Sequence, residues 1–339
     1  MAAKRAFISG ITGMVGSHLA DHLIAKTDWD IVGLCRWRSP LDNLRTLVPR
    51  INRGERIRLV YGDLRDELSI SEAVRQAAPD YVFHLAAQSF PRTSFDAPLD
   101  TLETNVQGTA RVLDAVKRWS PQAVVHVCSS SEMFGRVPKD KIPIDEECSF
   151  HPASPYAISK VGTDLLGRFY AEAYGMMVLT TRMFTHTGPR RGDVFAESTF
   201  AKQIALIESD LIPPVVKVGN LESLRTVADV RDAVRAYHML VTVKPAAGAY
   251  YNIGGNHSCT VGEILDALLA LSPKRDAIKI EIDPARLRPI DADLQVPDTS
   301  KFTAHTGWRP EIPFAQTMRD LLGYWREEVA RKGGAFLTR

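Results

Sequence analysis

The chain has no excess of charge of one sign, no long apolar run and no paired cysteines. Its 42 Lys and Arg residues oppose 40 Asp and Glu residues, a net charge of +2, which excludes a nucleic-acid binder of the polycation type. No window approaches the 18 apolar residues of a membrane-spanning helix. Cys35, Cys128, Cys148 and Cys259 form no CxxC pair and have no His at ligand spacing. We therefore expect a reduced, cytoplasmic protein without a structural metal.

Internal repeats and low-complexity tracts are also missing. The first seven residues carry Lys4 and Arg5 and run directly into a strand-like stretch, so we expect no signal peptide. With 45% hydrophobic and 24% charged residues, the composition is typical of a folded globular protein. The length of 339 residues predicts one large domain or two fused domains.

Short apolar runs alternate with amphipathic stretches in the N-terminal half, a pattern typical of parallel strands with crossover helices. It predicts an α/β fold, a doubly wound parallel Rossmann sheet with a smaller α/β substrate domain. We expect residues 1–185 to form the Rossmann domain and residues 186–330 to belong mainly to the substrate domain, with crossings of the chain between the two. The strand-like runs are Ala6–Ser9, Ile31–Leu34, Arg58–Tyr61, Tyr81–Leu85 and Ala123–Val127, and the helix-like stretches are Met14–Ala25 and Asn105–Trp119.

A glycine-rich loop with the spacing GxxGxxG lies between the first strand and the first helix, over residues 10–16. Glycines there permit a tight turn and let backbone N–H groups and the helix N-terminus approach a pyrophosphate. The alternative is that they serve only a turn and helix packing. The strand–turn–helix context favours a dinucleotide site, with cofactor-binding residues Gly10, Thr12, Gly13, Met14 and Val15.

The end of the second strand indicates which dinucleotide binds. A carboxylate at this place would bind the ribose 2′-hydroxyl of NAD, but the sequence has Arg36 and Arg38 and no acid. Because guanidinium groups suit a 2′-phosphate, we predict NADP, bound by Arg36. The alternative is that both arginines are solvated loop charges.

Two further strand ends complete the predicted cofactor site. Asp63 and Leu64 follow the third strand, where the carboxylate of Asp63 can meet the adenine amino group. Leu85, Ala86 and Ala87 end the fourth strand, and their small size allows backbone to pack on the cofactor. Ordinary strand-end packing is the alternative for each.

A phenol and an ammonium group share one face of a predicted helix, at Tyr156 and Lys160. Ser154 is a good N-cap and Pro155 a good first-turn residue, so we expect the helix to begin here. A lysine beneath a phenol lowers the phenol's pKa and makes it a usable base. A fifth β-run ends in Ser129-Ser130-Ser131-Glu132, and a hydroxyl there can hydrogen-bond the substrate oxygen that Tyr156 deprotonates. The alternative is that Tyr156 and Lys160 form an ordinary surface pair and that the serine cluster satisfies a turn.

Together these motifs resemble the extended short-chain dehydrogenase/reductase superfamily, and most closely the GDP-mannose 4,6-dehydratase family. The resemblance covers nearly the whole chain. The residues that carry it are Gly10-Ile11-Thr12-Gly13, Leu85-Ala86-Ala87-Gln88-Ser89-Phe90, Ser131-Glu132-Met133-Phe134-Gly135, Ser154-Pro155-Tyr156-Ala157, Gly188-Pro189-Arg190-Arg191-Gly192, Gly219-Asn220, Asp283-Pro284-Ala285, Arg288-Pro289 and Gly307-Trp308-Arg309-Pro310.

The resemblance implies a catalytic set of Ser130, Glu132, Tyr156 and Lys160. Glu132 is the discriminating residue, because a sugar reductase or a 4-epimerase needs only the other three. A 4,6-dehydratase also needs a base for the acidic C5 proton, and the dehydratase family keeps it two residues after the catalytic Ser130. The alternative is a solvated loop acid.

The resemblance also implies a set of substrate-binding residues, of which Arg225 and Arg288 clamp the diphosphate. The full set is Gln88, Ser89, Thr185, Asn220, Arg225 and Arg288. Several positions depart from the family. Where the family has a Thr, an Asn and an Arg-Asp-Trp triplet, this chain has Ser130, Thr185 and Arg225-Thr226-Val227, respectively. The position of a basic residue in the family corresponds to Ser198 or Thr199. Arg190 and Arg191 either close the site or lie on a solvated turn.

We therefore predict NADP-dependent 4,6-dehydration of a nucleotide-diphospho-sugar resembling GDP-mannose. An NADPH-dependent 4-reductase of the 4-keto-6-deoxy sugar, a 4-epimerase and a non-catalytic dinucleotide-binding regulator are the alternatives. We expect no nucleic-acid or membrane partner. By the resemblance, a homodimer or homotetramer is expected, joined through the helices Asn105–Trp119 and Thr163–Tyr174 with Val112, Leu166 and Phe169 exposed on each subunit.

Overall fold

The computed structural model describes residues 3–287 and 292–335. Its helices are α1 Met14–Lys26, α2 Val48–Arg53, α3 Glu67–Ala77, α4 Pro91–Asp96, α5 Pro98–Leu102, α6 Gly108–Trp119, α7 Pro155–Tyr174, α8 Ala196–Glu208, α9 Val230–Thr242, α10 Val261–Leu269, α11 Ser300–Thr306 and α12 Phe314–Lys332. A π-helical turn, Glu103–Gln107, leads into α6. A 3₁₀ helix, Ser131–Phe134, follows the fifth strand.

The strands are β1 Arg5–Ser9, β2 Asp30–Cys35, β3 Ile57–Tyr61, β4 Tyr81–His84, β5 Val124–Ser130, β6 Val178–Met183, β7 His186–Thr187, β8 Val215–Val218, β9 Leu224–Asp229, β10 Tyr250–Ile253, β11 His257–Thr260, β12 Lys279–Ile282 and β13 Leu294–Gln295. Seven of them form one sheet in the order β3-β2-β1-β4-β5-β6-β10. Every neighbouring pair in it is parallel. The order reverses between β1 and β4, where open α/β sheets bind their ligands.

Helices cover both faces of this sheet, so the predicted doubly wound fold is confirmed. On one face α1 and α9 pack together over a core that includes Ile8, Leu23 and Tyr237. On the other face α3, α6 and α7 cover a core that includes Phe7 and Val125. Apolar side chains on both faces explain why the strands were readable as continuous apolar runs.

Val112 corrects one expectation. We expected it to be exposed for a partner subunit, but it is fully buried, in the same core as Val74. The helical stripe that contains Val112 faces the sheet and α3. Phe169, on α7, is exposed as expected, whereas Leu166 is half-buried.

The C-terminal half builds a smaller layer and also returns to the large sheet. Strands β11, β9 and β13 form a small sheet to which β7 adds by pairing with β9, and β12 pairs with β8. Their core lies between α8, α10 and α12. Between β9 and β11 the chain returns to the large sheet through β10, which pairs with β6. In the described part of the chain, no helix is both long and apolar enough to cross a membrane.

Candidate active site

The glycine loop forms a floor without side chains at the point where the sheet order reverses. Gly10 has a positive φ of 75°, and a Cβ atom there would lie 2.9 Å from the backbone of Ala86. A Cβ on Gly16 would lie 2.3 Å from the carbonyl oxygen of Gly10. α1 begins at Met14, directly after Gly13. The first N–H groups of a helix lack partners within it and attract anions, so this cradle fits a dinucleotide pyrophosphate.

Ser9 holds the end of β4 against this loop. Its hydroxyl accepts hydrogen bonds of 3.1 Å from the backbone N–H groups of both Leu85 and Ala86, and it bonds Nδ1 of His84 at 2.9 Å. The predicted cofactor residues Leu85, Ala86 and Ala87 therefore adjoin Gly10. The ends of β1 and β4 form the two sides of one crevice.

The crevice is basic where it meets the end of β2. Arg36 and Arg38 directly follow β2 and are both exposed. Burial opposes ionisation of Asp63, but the N–H and guanidinium of Arg65 and the charge of Arg36 outweigh it and hold the pKa of Asp63 below its usual range. Leu64 is buried.

The segment beyond β2 also contacts the loop itself. The side chain of Asn43 donates to the carbonyl oxygen of Thr12 at 2.9 Å. Gly13, the next residue, donates its N–H to the carbonyl oxygen of Gly10 at 3.0 Å. Val15, in the first turn of α1, packs against the core beneath.

Local sequence explains how Tyr156 is positioned. The hydroxyl of Ser154 accepts from the N–H of Ala157 at 3.0 Å, and Pro155 occupies the first position of α7. The predicted start of this helix is therefore confirmed, with Tyr156 in its first turn and Lys160 one turn later. Both side chains are buried.

The end of β5 brings Ser130 and Glu132 to the same place. The Ser130 hydroxyl hydrogen-bonds Tyr156 and accepts from the backbone N–H of Glu132 at 3.2 Å. Lys160 donates from Nζ to the carbonyl oxygen of Cys128 at 2.7 Å, and its Nζ lies 6.0 Å from the centre of the Tyr156 ring. The structure thus brings all four residues of the predicted catalytic set together.

The pKa of Tyr156 differs from our expectation. Burial raises it above its usual value, since the phenolate loses hydration, and the hydrogen bond from Ser130 and the charge of Arg191 only partly offset this. The prediction of a lowered pKa for the phenol was therefore wrong for the chain by itself. Burial also lowers the pKa of Lys160, because an ammonium group loses hydration in the same way.

Arg190 and Arg191, which the sequence did not distinguish, have different partners in the structure. Arg190 has a left-handed backbone, with φ of 69°, and pairs with Asp21 of α1 at 2.7 Å. Arg191 turns toward Tyr156, pairs with Glu197 at 3.1 Å and lies over the Phe195 ring at 3.5 Å. Only the direction of this turn distinguishes the two, so no sequence signal could have separated them.

The predicted substrate residues make contacts within the chain. The Gln88 amide donates to Thr101 and accepts from the N–H of Phe90. Asn220 accepts from the N–H of Glu222, and Arg225 donates to the carbonyl oxygen of Ala292 at 2.7 Å. Of the rest, Ser89 is exposed, Thr185 is half-buried beside β9, and Arg288 lies outside the described residues.

Comparison with known proteins places these features in a wider group. The family model described as GDP-mannose 4,6 dehydratase matches residues 7–321. A GDP-mannose 4,6 dehydratase of Drosophila melanogaster is 30% identical over 94% of this chain and 85% of its own. A GDP-6-deoxy-D-mannose reductase of Pseudomonas aeruginosa is 31% identical over 96% of this chain and 98% of its own.

Solved structures share the fold over almost the whole length. RMD from Pseudomonas aeruginosa, complexed with NADPH, is 28% identical with a TM-score of 0.80 and covers 96% of this chain and 100% of its own. DesIV, a dTDP-glucose 4,6-dehydratase from Streptomyces venezuelae with NAD and TYD bound, is 25% identical with a TM-score of 0.82 over 96% of this chain and 98% of its own. Both of these neighbours hold a nicotinamide dinucleotide.

Proposed function

This chain belongs to the GDP-mannose 4,6-dehydratase family, and from that premise we propose that it is a lyase that converts a GDP-mannose-like nucleotide-diphospho-sugar to its 4-keto-6-deoxy product. The observation that carries the proposal is Glu132, whose backbone N–H bonds Ser130 at 3.2 Å and whose charge is close enough to Tyr156 to raise the pKa of its phenol. Acid–base work at two different carbons requires a second base besides the phenol. Glu132 supplies that base.

Each catalytic side chain has a defined part in this reaction. A nicotinamide dinucleotide held by the glycine loop would supply the hydride transfer between C4 and C6. Tyr156 takes the O4 proton, while Ser130 hydrogen-bonds the same oxygen. Glu132 removes the C5 proton as the C6 hydroxyl leaves as water, and a proton later returns to C5. The net change is the loss of one water, with no reductant consumed.

We assign the cofactor as NADP. The support is the exposed Arg36 at the end of β2, where residues 36–39 include no carboxylate to bind a ribose 2′-hydroxyl, and the NADPH in RMD. In this proposal the glycine loop takes the pyrophosphate through Gly10, Thr12, Gly13, Met14 and Val15. The adenosine lies against Asp63 and Leu64, and the nicotinamide half against Leu85, Ala86 and Ala87.

On the substrate side we propose the contacts that membership of the family implies. Arg225 and Arg288 would neutralise the two charges of the nucleotide diphosphate, and the remaining contacts would come from Gln88, Ser89, Thr185 and Asn220. Arg225 is held by the carbonyl oxygens of Leu224 and Ala292, which support it at the start of β9.

Incubation with a panel of GDP-, UDP-, CDP- and dTDP-sugars tests the proposal. We expect a 4-keto product from a GDP-hexose, without added reductant and with no net change in cofactor. A product that forms only with stoichiometric NADPH, from a 4-keto sugar nucleotide, would contradict it.

That outcome would support the second candidate, a 4-reductase of a GDP-4-keto-6-deoxy sugar. Two observations favour it. The Pseudomonas aeruginosa reductase aligns over 98% of its length, compared with 85% for the Drosophila dehydratase. In addition, Thr185 and Arg225-Thr226-Val227 depart from the dehydratase pattern.

We further propose a homodimer or homotetramer in the cytoplasm. Leu165, Phe169 and Tyr174 expose apolar surface along α7, which supports packing of this helix against a second subunit. All four cysteines are free thiols, which fits a reducing compartment.

A further inference from the structure

Two exposed aromatic side chains lie together at the carboxyl ends of β2 and β3. The ring centres of Trp37 and Tyr61 are 5.1 Å apart, at an interplanar angle of 74°. Trp37 is 77% exposed and Tyr61 52%. Edge-to-face packing fixes the indole without covering its face.

Trp37 is the most exposed of the five tryptophans. Trp29, Trp308 and Trp325 are buried, and Trp119 is 43% exposed with its indole N–H bonded to Ser71 at 2.9 Å. An indole buries a large apolar area when it is covered. An uncovered indole, braced on one edge, is therefore a surface suited to a flat apolar ligand.

Backbone hydrogen bonds connect this aromatic pair to the glycine loop. The N–H of Gly10 donates to the carbonyl oxygen of Leu34 at 3.1 Å, and the N–H of Gly62 donates to that of Cys35, also at 3.1 Å. The loop, Trp37 and the Tyr61–Asp63 segment thus lie along one edge of the sheet. This is the edge where nucleotides bind in open α/β sheets.

Charge at the same place selects the kind of ligand. Arg36 and Arg38 flank Trp37, and both are exposed. An exposed aromatic face in the same segment as two arginines suits a purine that carries phosphate, because aromatic rings stack on bases while arginines pair with phosphate oxygens.

We propose that Trp37 stacks on the adenine ring of the bound dinucleotide, with Tyr61 bracing the indole. This inference rests on the dinucleotide binding put forward under the proposed function, and it separates two roles. Trp37 strengthens the binding of any adenine nucleotide, since the base is common to NAD and NADP. Arg36 selects for the 2′-phosphate.

Calorimetric titration of the full chain with AMP and with adenosine 2′,5′-bisphosphate tests this division. Trp37→Ala should weaken the binding of both nucleotides by the same factor, on the order of tenfold. Trp37→Phe, which keeps an aromatic face, should restore most of that loss. Arg36→Ala should weaken only the bisphosphate, and Trp119→Phe, the matched control, should change neither.

Tryptophan emission gives an independent readout. AMP should alter the emission of the wild type and of Trp119→Phe, but not that of Trp37→Phe. Unchanged AMP affinity in Trp37→Ala, or a wild-type emission change in Trp37→Phe, would overturn the proposal, as would a wild type that binds neither nucleotide. These measurements need no sugar nucleotide, so a chain that meets them but dehydrates no sugar would refute the proposed function alone.

Discussion

Lys160 donates from its Nζ to the main-chain carbonyl oxygen of Cys128, two residues before Ser130 on β5. This bond fixes the ammonium group under the Tyr156 ring and connects α7 to the strand that carries Ser130 and leads into Glu132. The surrounding burial shifts the pKa of both side chains toward their neutral forms. The charges that favour the Tyr156 phenolate are therefore important for catalysis.

Arg191 is one of these charges. Its removal in Arg191→Gln should raise the pKa of Tyr156 further, so that less phenolate is present at a given pH. We expect kcat/KM at neutral pH to fall on the order of tenfold and to recover as the pH rises. Arg191→Lys should keep most activity, and Arg190→Gln, the adjacent control, should leave the shape of the pH profile unchanged. An equal loss at every pH would contradict the electrostatic role.

Arg36 is expected to select the cofactor. One charge-assisted contact to the 2′-phosphate contributes on the order of 1.5 to 3 kcal/mol, so Arg36→Ala should weaken NADP binding tenfold or more and leave NAD binding little changed. Arg58→Ala is a control on β3, where the guanidinium bonds the carbonyl oxygen of Gln76. A wild type that prefers NAD, or equal weakening of both cofactors, would refute the assignment.

The strands and the start of the catalytic helix were predictable because local rules determine them. Buried parallel strands appear as apolar runs, and Ser154 with Pro155 marks the first turn of α7 whatever the rest of the chain does. The glycine loop was predictable for a similar reason, because the backbone of Ala86 lies too close to Gly10 to leave room for a side chain.

Other features depend on contacts between distant segments. Nothing in Tyr250–Ile253 indicates that this strand completes the large sheet rather than the small one, because its partner β6 lies far away in sequence. The burial of Val112 depends on how α6 is rotated against α3. The pKa of Tyr156 depends on the total burial of the site, which a single Tyr-Lys spacing does not report.

Buried histidines should make the fold sensitive to acid. Burial lowers the pKa values of His84 and His126 from 6.5 to about 3, so the unfolded chain binds protons between these values while the native chain does not. The free energy of unfolding should therefore fall as the pH decreases below about 6.5, with a limiting slope on the order of 1.4 kcal/mol per pH unit for each imidazole. Urea unfolding at several pH values measures it.

His126→Phe provides the control for this slope. The ring keeps its contacts with Phe83 and Tyr237 but loses the bond to Thr181 and the proton uptake. We expect lower stability at neutral pH with a weaker pH dependence. A slope equal to that of the wild type would show that His126 is not neutral in the fold.

The exposed face of α7 is expected to form a subunit interface. Phe169 is 51% exposed on it, and a charge there would be buried against a partner at high cost. Light scattering at micromolar protein should give a multiple of 37.6 kDa for the wild type and a lower mass for Phe169→Glu. Ile282→Glu, at an exposed site on β12, should leave the mass unchanged. A wild-type mass of 37.6 kDa would contradict the interface.

Glu132 separates a dehydratase from a reductase. Glu132→Gln keeps the shape of the side chain, and its backbone N–H can still bond Ser130, but the proton acceptor is lost. Loss of a general base typically costs on the order of 10²–10⁴ in rate. Oxidation at C4 requires only Ser130, Tyr156 and Lys160, so the variant should still pass hydride to the cofactor. We expect it to show reduced-nicotinamide absorbance without release of 6-deoxy product.

Tyr156→Phe is the matched variant for the other half of the reaction. It should block the first hydride transfer, because the O4 proton then has no acceptor, and no reduced-nicotinamide absorbance should appear. Solvent deuterium adds a check that needs no variant, since a dehydratase must incorporate it at C5 when that carbon is reprotonated. If Glu132→Gln turned over at the wild-type rate, or if wild-type product were unlabelled at C5, Glu132 would not be the C5 base. Unlabelled C5 would also make the reductase the better assignment, because reduction at C4 exchanges no proton at C5.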